Sequence, residues 1–193
     1  MVSGLYEGGL KVWECSFDLV DYVFANKELV AGKRVLELGC GQSLPGIACA
    51  LLDAAKVCLH DYNAEVIQFA TMPTVKLNLQ KWDKSDLLAR FSFHSGSWAD
   101  FKVAETQKRF DIILMAETLY NKDYYAQLFE LVKHCLAPGA VCIIGSKSFY
   151  FGLGGGLYEL QQFLKARTDL ELGLTVEKKL NDMVSIERVI CHV

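Results

Sequence analysis

The stretch from Val35 to Ile47 constrains the fold of this chain most strongly. An apolar run, Arg34 to Leu38, leads into two glycines one residue apart, Gly39 and Gly41, and Pro45 follows. Proline is tolerated in the first turn of a helix, because the N–H that it lacks has no partner there. Glycines in such a turn can adopt positive φ and let the backbone approach a ligand closely. The pattern therefore predicts a strand, a tight turn with a ligand site, and a helix.

A second acidic residue narrows the class of ligand. Asp61 ends the next apolar run, 20 residues after Gly41, where a carboxylate can accept both hydroxyls of a ribose. Dinucleotide-binding turns need a third glycine beside the pyrophosphate, and Leu44 occupies that position here. With Glu37 two residues before Gly39, the turn looks like motif I of S-adenosylmethionine (SAM) methyltransferases. We therefore expect SAM as the cofactor, with the carboxylate of Glu37 near its sulfonium charge.

The alternation of apolar runs and helical patterns predicts the fold class. Five strands are separated by helices, and two strands follow around Asn181-Asp182. This order predicts an α/β fold: a Rossmann-like, seven-stranded, mostly parallel sheet with helices on both faces and an antiparallel C-terminal hairpin. We interpret residues 1–193 as a single domain, with 1–15 as a segment that covers the cofactor and 16–193 as the core.

Capping and proline rules predict several boundaries. Ser16 is expected to cap the first helix. The apolar face of that helix is expected to carry Phe17, Leu19, Val20, Val23 and Phe24. Asn63 should cap a helix that Pro73 kinks or splits, and Asp123 should cap the helix after strand 4. Pro138-Gly139 is expected to turn the chain into the fifth strand.

The composition limits the partners of the chain. The net charge is −3 with both signs interspersed, which argues against binding to naked nucleic acid. The apolar runs are too short to span a membrane, and residues 1–15 do not resemble a signal peptide. The seven cysteines form no C-x-x-C or metal-ligand spacing, so we expect buried thiols in a reducing compartment and no metal site. We expect a monomer whose substrate is a protein or a small molecule, and the chain could be a piece of something longer.

Four residues are expected at one edge of the sheet. Gly39, Asp61, Trp98 and Glu117 each follow a predicted strand, and ligands of such sheets bind outside the carboxyl ends of the strands. Trp98 could stack on a base or cover the core, and both interpretations stay open.

Specific motifs carry a resemblance to a known family. They are Tyr6–Cys15, Asp61–Asn63, Glu117–Asn121 and Tyr150–Gly156. From Gly4 to about Phe163, the chain resembles the eukaryotic protein-histidine N-methyltransferases. Members of that family methylate one histidine of a large-subunit ribosomal protein on the tele nitrogen. The resemblance implies a ribosomal protein as partner, a cytoplasmic and nuclear location, and S-adenosyl-L-homocysteine as the product of the cofactor.

The resemblance also implies the residues of the site. The cofactor would contact Val12, Trp13, Glu14, Cys15, Ser16, Glu37, Gly39, Gly41, His60, Asp61, Tyr62, Gly96, Ser97, Trp98 and Ala116. The substrate would contact Tyr150, Phe151, Gly154 and Gly155. From the residues alone, Trp13 could equally be a core residue, and His60 and His94 read as packing residues.

Glu117 is the candidate catalytic residue, with Tyr120 and Asn121 as its supports. Histidine has a large neutral fraction at pH 7, whereas lysine must first lose a proton. A histidine methyltransferase therefore needs orientation of the ring more than a strong base. An acceptor for the N–H of the non-reacting nitrogen would aim the other nitrogen at the methyl group. The alternative is that Glu117 is only a charge at a helix N-terminus.

Other functions stay open at this stage. A protein-lysine N-methyltransferase of the same group is the main rival, and a SAM-binding scaffold without activity is the other. Methyltransferases that act on amino groups of bases or glutamine typically carry Asn/Asp-Pro-Pro-Tyr after strand 4. Glu117-Thr118-Leu119-Tyr120 contains no proline, which argues against that class.

Overall fold

The computed structural model describes residues 8–104, 109–180 and 187–193. Within these residues, seven strands form one sheet in the order β3-β2-β1-β4-β5-β7-β6. The strands are β1 Arg34–Leu38, β2 Lys56–Asp61, β3 Phe91–Ser95, β4 Phe110–Ala116, β5 Leu136–Lys147, β6 Thr175–Leu180 and β7 Arg188–His192. Strands β1 to β5 pair in parallel, and β7 runs antiparallel to β5 and β6. The predicted sheet and its antiparallel hairpin are confirmed; Asn181-Asp182 lie outside the described residues.

Helices cover both faces of the sheet. They are α1 Glu14–Ala25, α2 Leu44–Leu51, α3 Ala64–Val66, α4 Met72–Lys81, α5 Trp98–Ala104, α6 Tyr125–Cys135 and α7 Leu157–Ala166. One core lies under α1, α2 and α4, and the other under α5, α6 and α7. Successive residues of β4 alternate between the two: Ile112 and Leu114 face the first core, and Ile113 and Met115 the second. A strand buried on both faces is apolar along most of its length, which explains the run Ile112 to Ala116.

The strand order reverses at the centre of the sheet. From β1 the chain proceeds outward to β2 and β3, then crosses to the other side of β1 and continues with β4 and β5. The two crossovers on either side of this point diverge, so a crevice opens beyond the carboxyl ends of β1 and β4. The turn after β1 and the motif that begins at Glu117 therefore face each other.

The start of α1 differs from the prediction. Trp13 occupies the N-cap position and Glu14 begins the helix, so the prediction that Ser16 caps it was wrong. Phe17 and Phe24 are about half exposed, although both were expected on the apolar face. The buried residues of α1 are Cys15, Leu19 and Val23. They are spaced four residues apart, and this single row faces the sheet.

Proline and capping residues act differently at three other places. Pro73 lies in the first turn of α4, and a π-helical segment, Ile67–Thr71, separates α3 from α4, so the predicted split is confirmed. Asn63 lies at the predicted N-cap position of α3, but its side chain makes no capping hydrogen bond. Asp123 is not the cap of α6, whose N-cap residue is Tyr124. The side chain of Asn121 caps the short 3-10 turn just before α6, where it accepts a hydrogen bond from the Asp123 N–H at 3.0 Å.

Two stretches expected to be turns belong to regular elements. Pro138-Gly139 lies inside β5 as an irregularity, because Leu136 pairs with Phe110 and the next pair joins Val141 to Ile112. Helix α5 begins at Trp98, where only a turn was predicted.

In the described part of the chain, none of the helices is long and apolar enough to cross a membrane. The same residues bring no group of three or more metal-ligating side chains together. All seven cysteines are buried thiols, and none of them forms a disulfide bond.

Candidate active site

The turn after β1 depends on its glycines. Gly39 and Gly41 have φ of 66° and 48°, which side chains rarely adopt. A Cβ on Gly39 would lie 2.7 Å from Cγ2 of Thr118, and one on Gly41 would lie 3.0 Å from the carbonyl oxygen of Gly9. The turn is therefore tightly enclosed by the segment after β4 and by the N-terminal segment.

Glu37 supports this turn from below. Its carboxylate is buried and accepts hydrogen bonds from Oγ of Ser43 at 2.8 Å and from the N–H of Gly46 at 2.9 Å. Burial raises the pKa of Glu37 to about 8, although both hydrogen bonds act against that rise. Glu37 is not among the residues that line the cavity. The expectation that its charge faces the sulfonium of a cofactor does not match this geometry.

Asp61 lies at the carboxyl end of β2 and faces the cavity. Its Oδ2 accepts a hydrogen bond from the N–H of Gly41 at 2.9 Å, and its Oδ1 accepts one from the N–H of Asn63 at 3.2 Å. These bonds fix the carboxylate at the rim of the turn. A carboxylate oxygen can accept more than one hydrogen bond, so this orientation suits recognition of neighbouring hydroxyls.

The segment 8–13 forms a wall over the turn. The indole Nε1 of Trp13 donates to the carbonyl of Gly8 at 3.2 Å, and the amide of Gln42 donates to the carbonyl of Leu10 at 2.8 Å. The ammonium of Lys11 lies 4.3 Å from the centre of the Trp13 ring, within the range of a cation–π interaction. The segment is thus held both by itself and by the turn that it covers.

Aromatic side chains form the opposite wall. Trp98 lies at the start of α5, and its ring meets the ring of Tyr124 edge-on, with 6.3 Å between their centres. Oγ of Ser97 accepts a hydrogen bond from the N–H of Asp100 at 3.2 Å, which caps α5 and fixes its first turn. A flat apolar wall of this kind suits a planar base.

Glu117 stands at the carboxyl end of β4 in a left-handed conformation, with φ of 59°. Its Oε2 accepts a hydrogen bond from the hydroxyl of Tyr150 at 2.5 Å. Its Oε1 is buried and accepts no hydrogen bond from the described residues, although the Lys147 ammonium lies 3.5 Å away. The Glu117 charge also helps to raise the pKa of the Cys15 thiol, for which burial is the larger cause. A strained residue with a buried open acceptor is typical of a functional site.

One cavity brings together a large part of the predicted site. The predicted residues that line it are Val12, Trp13, Ser16, Gly39, Gly41, Asp61, Tyr62, Ser97, Trp98, Ala116, Glu117 and Tyr120. The predicted residues that do not line it are Glu14, Cys15, Glu37, His60, Gly96, Asn121, Tyr150, Phe151, Gly154 and Gly155.

Three of the predicted cofactor residues that do not line the cavity, Cys15, His60 and Gly96, contribute to the packing of the fold instead. Cys15 is buried, and its carbonyl oxygen would lie 3.0 Å from a Cβ on Gly145. His60 is buried 4.6 Å from the Phe101 ring, and burial lowers the pKa of His60 to about 4. Gly96 donates its N–H to the carbonyl of Asp61 at 3.1 Å and so ties β3 to β2.

The loop 150–156 packs on the motif after β4 rather than on the cavity. A Cβ on Gly155 would collide with the carbonyl oxygen of Leu119, and Gly154 forms an isolated bridge with Asn121. Phe151 is 76% exposed, and its ring meets that of Phe149 with 5.1 Å between their centres. The loop therefore fixes the motif from outside and presents aromatic rings to solvent.

Sequence reasoning missed part of the cavity wall. The missed residues are Gly8, Gly9, Lys11, Cys40, Gln42, Ser43, Leu44, Thr118, Tyr124 and Gln127. Most are neighbours of a predicted residue in the same motif, and widening each motif would have found them. Tyr124 and Gln127 come from the start of α6 and carry no local signal, because only the tertiary fold brings that helix to the cavity.

Comparison with known sequences places this site in context. The profile of a family described as lysine methyltransferase matches residues 3–150. The histidine protein methyltransferase 1 homologue of Dictyostelium discoideum is 40% identical over 172 residues, which cover 89% of this chain and 53% of that protein. The homologue of the same name from Bos taurus is 37% identical and is matched over 89% of this chain and 52% of its own length. The chain thus spans about half the length of these relatives.

Solved structures share the fold. An arsenic(III) S-adenosylmethionine methyltransferase from Chlamydomonas reinhardtii superposes with a TM-score of 0.67 at 13% sequence identity, over 94% of this chain and 73% of that one. At this level of identity the similarity shows the fold alone.

Proposed function

Since the chain belongs to the methyltransferase family described as lysine methyltransferase, we propose that it uses SAM to methylate a protein, and that the acceptor is a histidine side chain. The name shared by the relatives from Dictyostelium discoideum and Bos taurus, histidine protein methyltransferase 1 homologue, supports the choice of acceptor. The single observation that carries it in the structure is the buried, open Oε1 of Glu117.

The cavity suits SAM on its own geometry. The glycine turn leaves room that a Cβ on Gly39 would remove. Asp61 is fixed where it can accept the ribose hydroxyls, and Trp98 with Tyr124 offers a wall for adenine. When bound, SAM supplies an electrophilic methyl group and leaves as S-adenosyl-L-homocysteine.

Glu117 suits the orientation of a neutral imidazole. One ring nitrogen of histidine carries a hydrogen and the other a lone pair. If Oε1 accepts the N–H, the lone pair points away from Glu117 and into the cavity. The ring gains a positive charge on methylation, and the hydrogen bond to the carboxylate then stabilises that charge. Tyr150 holds the other carboxylate oxygen in place.

The tele nitrogen of a histidine in a large-subunit ribosomal protein is the finer part of the proposal. This finer part rests on the resemblance of the motifs Tyr6–Cys15 and Tyr150–Gly156 to those of the protein-histidine N-methyltransferases. The exposed rings of Phe149 and Phe151, next to Tyr150, offer a surface on which a peptide around the target could pack. Such a substrate would be met in the cytoplasm or the nucleus.

Replacement of Glu117 by glutamine tests this function. Glu117→Gln should keep SAM affinity, measured by calorimetry, within about twofold. The reason is that the proposed contacts of SAM with Asp61 and Trp98 do not involve Glu117. Turnover on histidine should fall about tenfold or more, because a charge-assisted hydrogen bond becomes a neutral one. In the parent chain the rate should rise through about pH 6–7 and then level as the substrate imidazole becomes neutral. Glu130→Gln, which removes an exposed carboxylate of α6, is the matched control.

The main rival is a protein-lysine methyltransferase, favoured by the description of the family. Labelled SAM, cell extract and mass spectrometry of the product separate the two. A methyl group on lysine, with histidine untouched, would reject the histidine proposal. A rate that keeps rising well above pH 8 would point the same way, because lysine loses its proton near pH 10.4.

A further inference from the structure

Thr71 is a polar residue in an otherwise apolar row. It ends the π-helical segment Ile67–Thr71, which leads directly into α4. Buried residues follow one another here at intervals of four: Ile67, Thr71, Val75 and Leu79. The aliphatic members of this row belong to the core under α1, α2 and α4. A valine has nearly the shape of a threonine and buries no hydroxyl, which costs free energy unless it is hydrogen-bonded. The hydroxyl of Thr71 therefore calls for a specific partner.

The Thr71 hydroxyl binds the glycine turn after β1. Its Oγ1 donates to the carbonyl oxygen of Gly41 at 2.6 Å, whereas the carbonyl oxygen of Val66 lies 3.2 Å away. Hydrogen bonds between a hydroxyl and an oxygen span about 2.5–3.0 Å, so the single hydrogen of the hydroxyl goes to Gly41. The Cys40 thiol lies 3.9 Å from the same Oγ1 and can act as a weak donor to it. Thr71 thus links the helical segment after β2 to the turn after β1.

Gly41 is held through both of its backbone groups. Its carbonyl accepts from Thr71, and its N–H donates to Oδ2 of Asp61 at 2.9 Å. The φ of Gly41 is 48°, and a glycine can leave such a conformation for several others. Without the hydroxyl, the buried carbonyl would lose its short hydrogen bond, and rotation of that peptide group could bring it to another partner. Such a rotation would also shift the N–H that orients Asp61.

We propose that Thr71 is a positioning residue for the cofactor, which holds Gly41 and, through it, the carboxylate of Asp61 in the conformation that binds SAM. Gly41 and Asp61 line the cavity, whereas Thr71 does not, so Thr71 acts through them. A turn that is fixed before the ligand arrives loses less conformational freedom on binding. π-Helical segments occur frequently at functional sites, and this one ends at the residue that bonds the turn. The inference rests on the cofactor of the proposed function and does not depend on the methyl acceptor.

Calorimetry with S-adenosyl-L-homocysteine, which carries no methyl group to transfer, tests this role. Thr71→Val removes the hydroxyl and keeps the shape of the side chain, and the affinity should fall about tenfold. Thr71→Ser keeps the hydroxyl and should hold the affinity within about threefold of that of the parent chain. If Thr71→Val does not fold, Thr71→Ala removes the same hydroxyl with a smaller side chain and takes its place.

Val75→Ala is the matched control for stability. Val75 is fully buried in the same row, one turn after Thr71, and it does not line the cavity. Its truncation leaves a void in the core, so the urea midpoint should fall at least as far as in Thr71→Val. The affinity of Val75→Ala for S-adenosyl-L-homocysteine should nevertheless stay within about twofold of that of the parent. A merely structural role of Thr71 would instead lower affinity and stability together in all of these variants.

A double-mutant cycle tests the route through Asp61. Asp61→Ala removes the carboxylate that Gly41 orients. Thr71→Val added to Asp61→Ala should lower the affinity by less than about threefold, because there is no longer a carboxylate to hold in place. A further loss of about tenfold in the double variant would show that Thr71 does not act through Asp61 and would overturn the proposal.

The remaining outcomes separate this role from the proposed function. An unchanged affinity in a folded Thr71→Val protein, or an equal loss of affinity in Val75→Ala, would overturn the role of Thr71 and leave the proposed function standing. If the variants behave as expected but the parent chain methylates no histidine peptide, the role of Thr71 stands and the proposed acceptor fails. A parent chain that binds no S-adenosyl-L-homocysteine would reject the cofactor on which both proposals rest.

Discussion

Single residues at this site are held in strained or fully enclosed positions. Glu117 and Ser43 both adopt left-handed conformations, with φ of 59° and 56°; Glu117 directly follows β4, and Ser43 is the N-cap residue of α2. A non-glycine residue there loses about 1–2 kcal/mol relative to the right-handed region. Both side chains are fixed, Ser43 by Glu37 and Glu117 by Tyr150. These bonds offset the strain and aim each residue in one direction.

Asp61 is the residue on which cofactor affinity should depend most. Asp61→Ala removes the proposed hydrogen bonds to ribose, and bonds to a charged group contribute about 1.5–3 kcal/mol each. It also removes the bond that Asp61 accepts from Gly41. We expect SAM affinity measured by calorimetry to fall at least about tenfold while circular dichroism stays that of the folded chain. Unchanged affinity in a folded variant would refute the assignment of this pocket to SAM.

Among the elements, the N-terminal segment is the one that cofactor binding should stabilise. Five of the residues 8–13 line the cavity, and among the described residues the amide of Gln42 ties the segment to the glycine turn through the carbonyl of Leu10. Elements with few anchoring contacts open locally at low cost in free energy. A ligand in the cavity would add contacts to the segment and shift it toward the closed state.

Limited proteolysis measures this closure. Trypsin cleaves after lysine, and Lys11 lies within the segment. Cleavage at Lys11 should slow at least about fivefold with saturating S-adenosyl-L-homocysteine, because a bound ligand protects the closed state. Lys84, in the connection between α4 and β3, is the internal control and should be cut at the same rate throughout. Equal rates at Lys11 with and without ligand would count against a cover that closes on the cofactor.

At the scale of the whole molecule, two buried ionisable groups make folding depend on pH. His60 is fully buried and its pKa is lowered to about 4. The unfolded chain therefore takes up a proton at His60 below about pH 6.5, which the folded chain does not until about pH 4. Stability from this group is present above pH 6.5 and is lost as the pH falls toward 4. Glu37, with its pKa raised to about 8, acts in the opposite direction, and its contribution is lost as the pH rises from 4.5 to 8.

Replacing His60 isolates its share of this dependence. We expect the free energy of unfolding, measured in urea on the ligand-free chain, to fall between pH 6.5 and pH 4. The fall should be up to about 3 kcal/mol larger in the parent than in His60→Leu. The change of the unfolding free energy with pH decides the test, because the altered packing against Phe101 changes that free energy equally at pH 6.5 and at pH 4. His134→Leu, at the end of α6, controls for the loss of a histidine. Parallel curves for the parent and His60→Leu would show that His60 does not titrate differently in the two states.

The sequence determined the secondary structure best where an element is bounded by clear signals. The limits of β1 and β4 agree residue for residue with the runs Arg34 to Leu38 and Phe110 to Ala116, because strands buried on both faces are apolar along most of their length. The glycine turn and Asp61 were identified for a similar local reason: the chemistry of each motif lies within a few consecutive residues. The start of α1 was missed, because any residue with extended backbone, such as Trp13, can occupy an N-cap when packing fixes it there.

The tertiary structure alone decided which way side chains point and which distant residues meet. Glu37 belongs to motif I, but the two-residue period of β1 directs it under α2, where burial and two hydrogen bonds make it a support. Tyr150 and Lys147 come more than 25 residues after Glu117, and no local pattern links them to it. The parallel pairing of β4 and β5 sets Ala116 beside Gly145. That register brings the ends of both strands together, so the carboxylate, the hydroxyl and the ammonium meet where three-dimensional packing, rather than sequence spacing, places them.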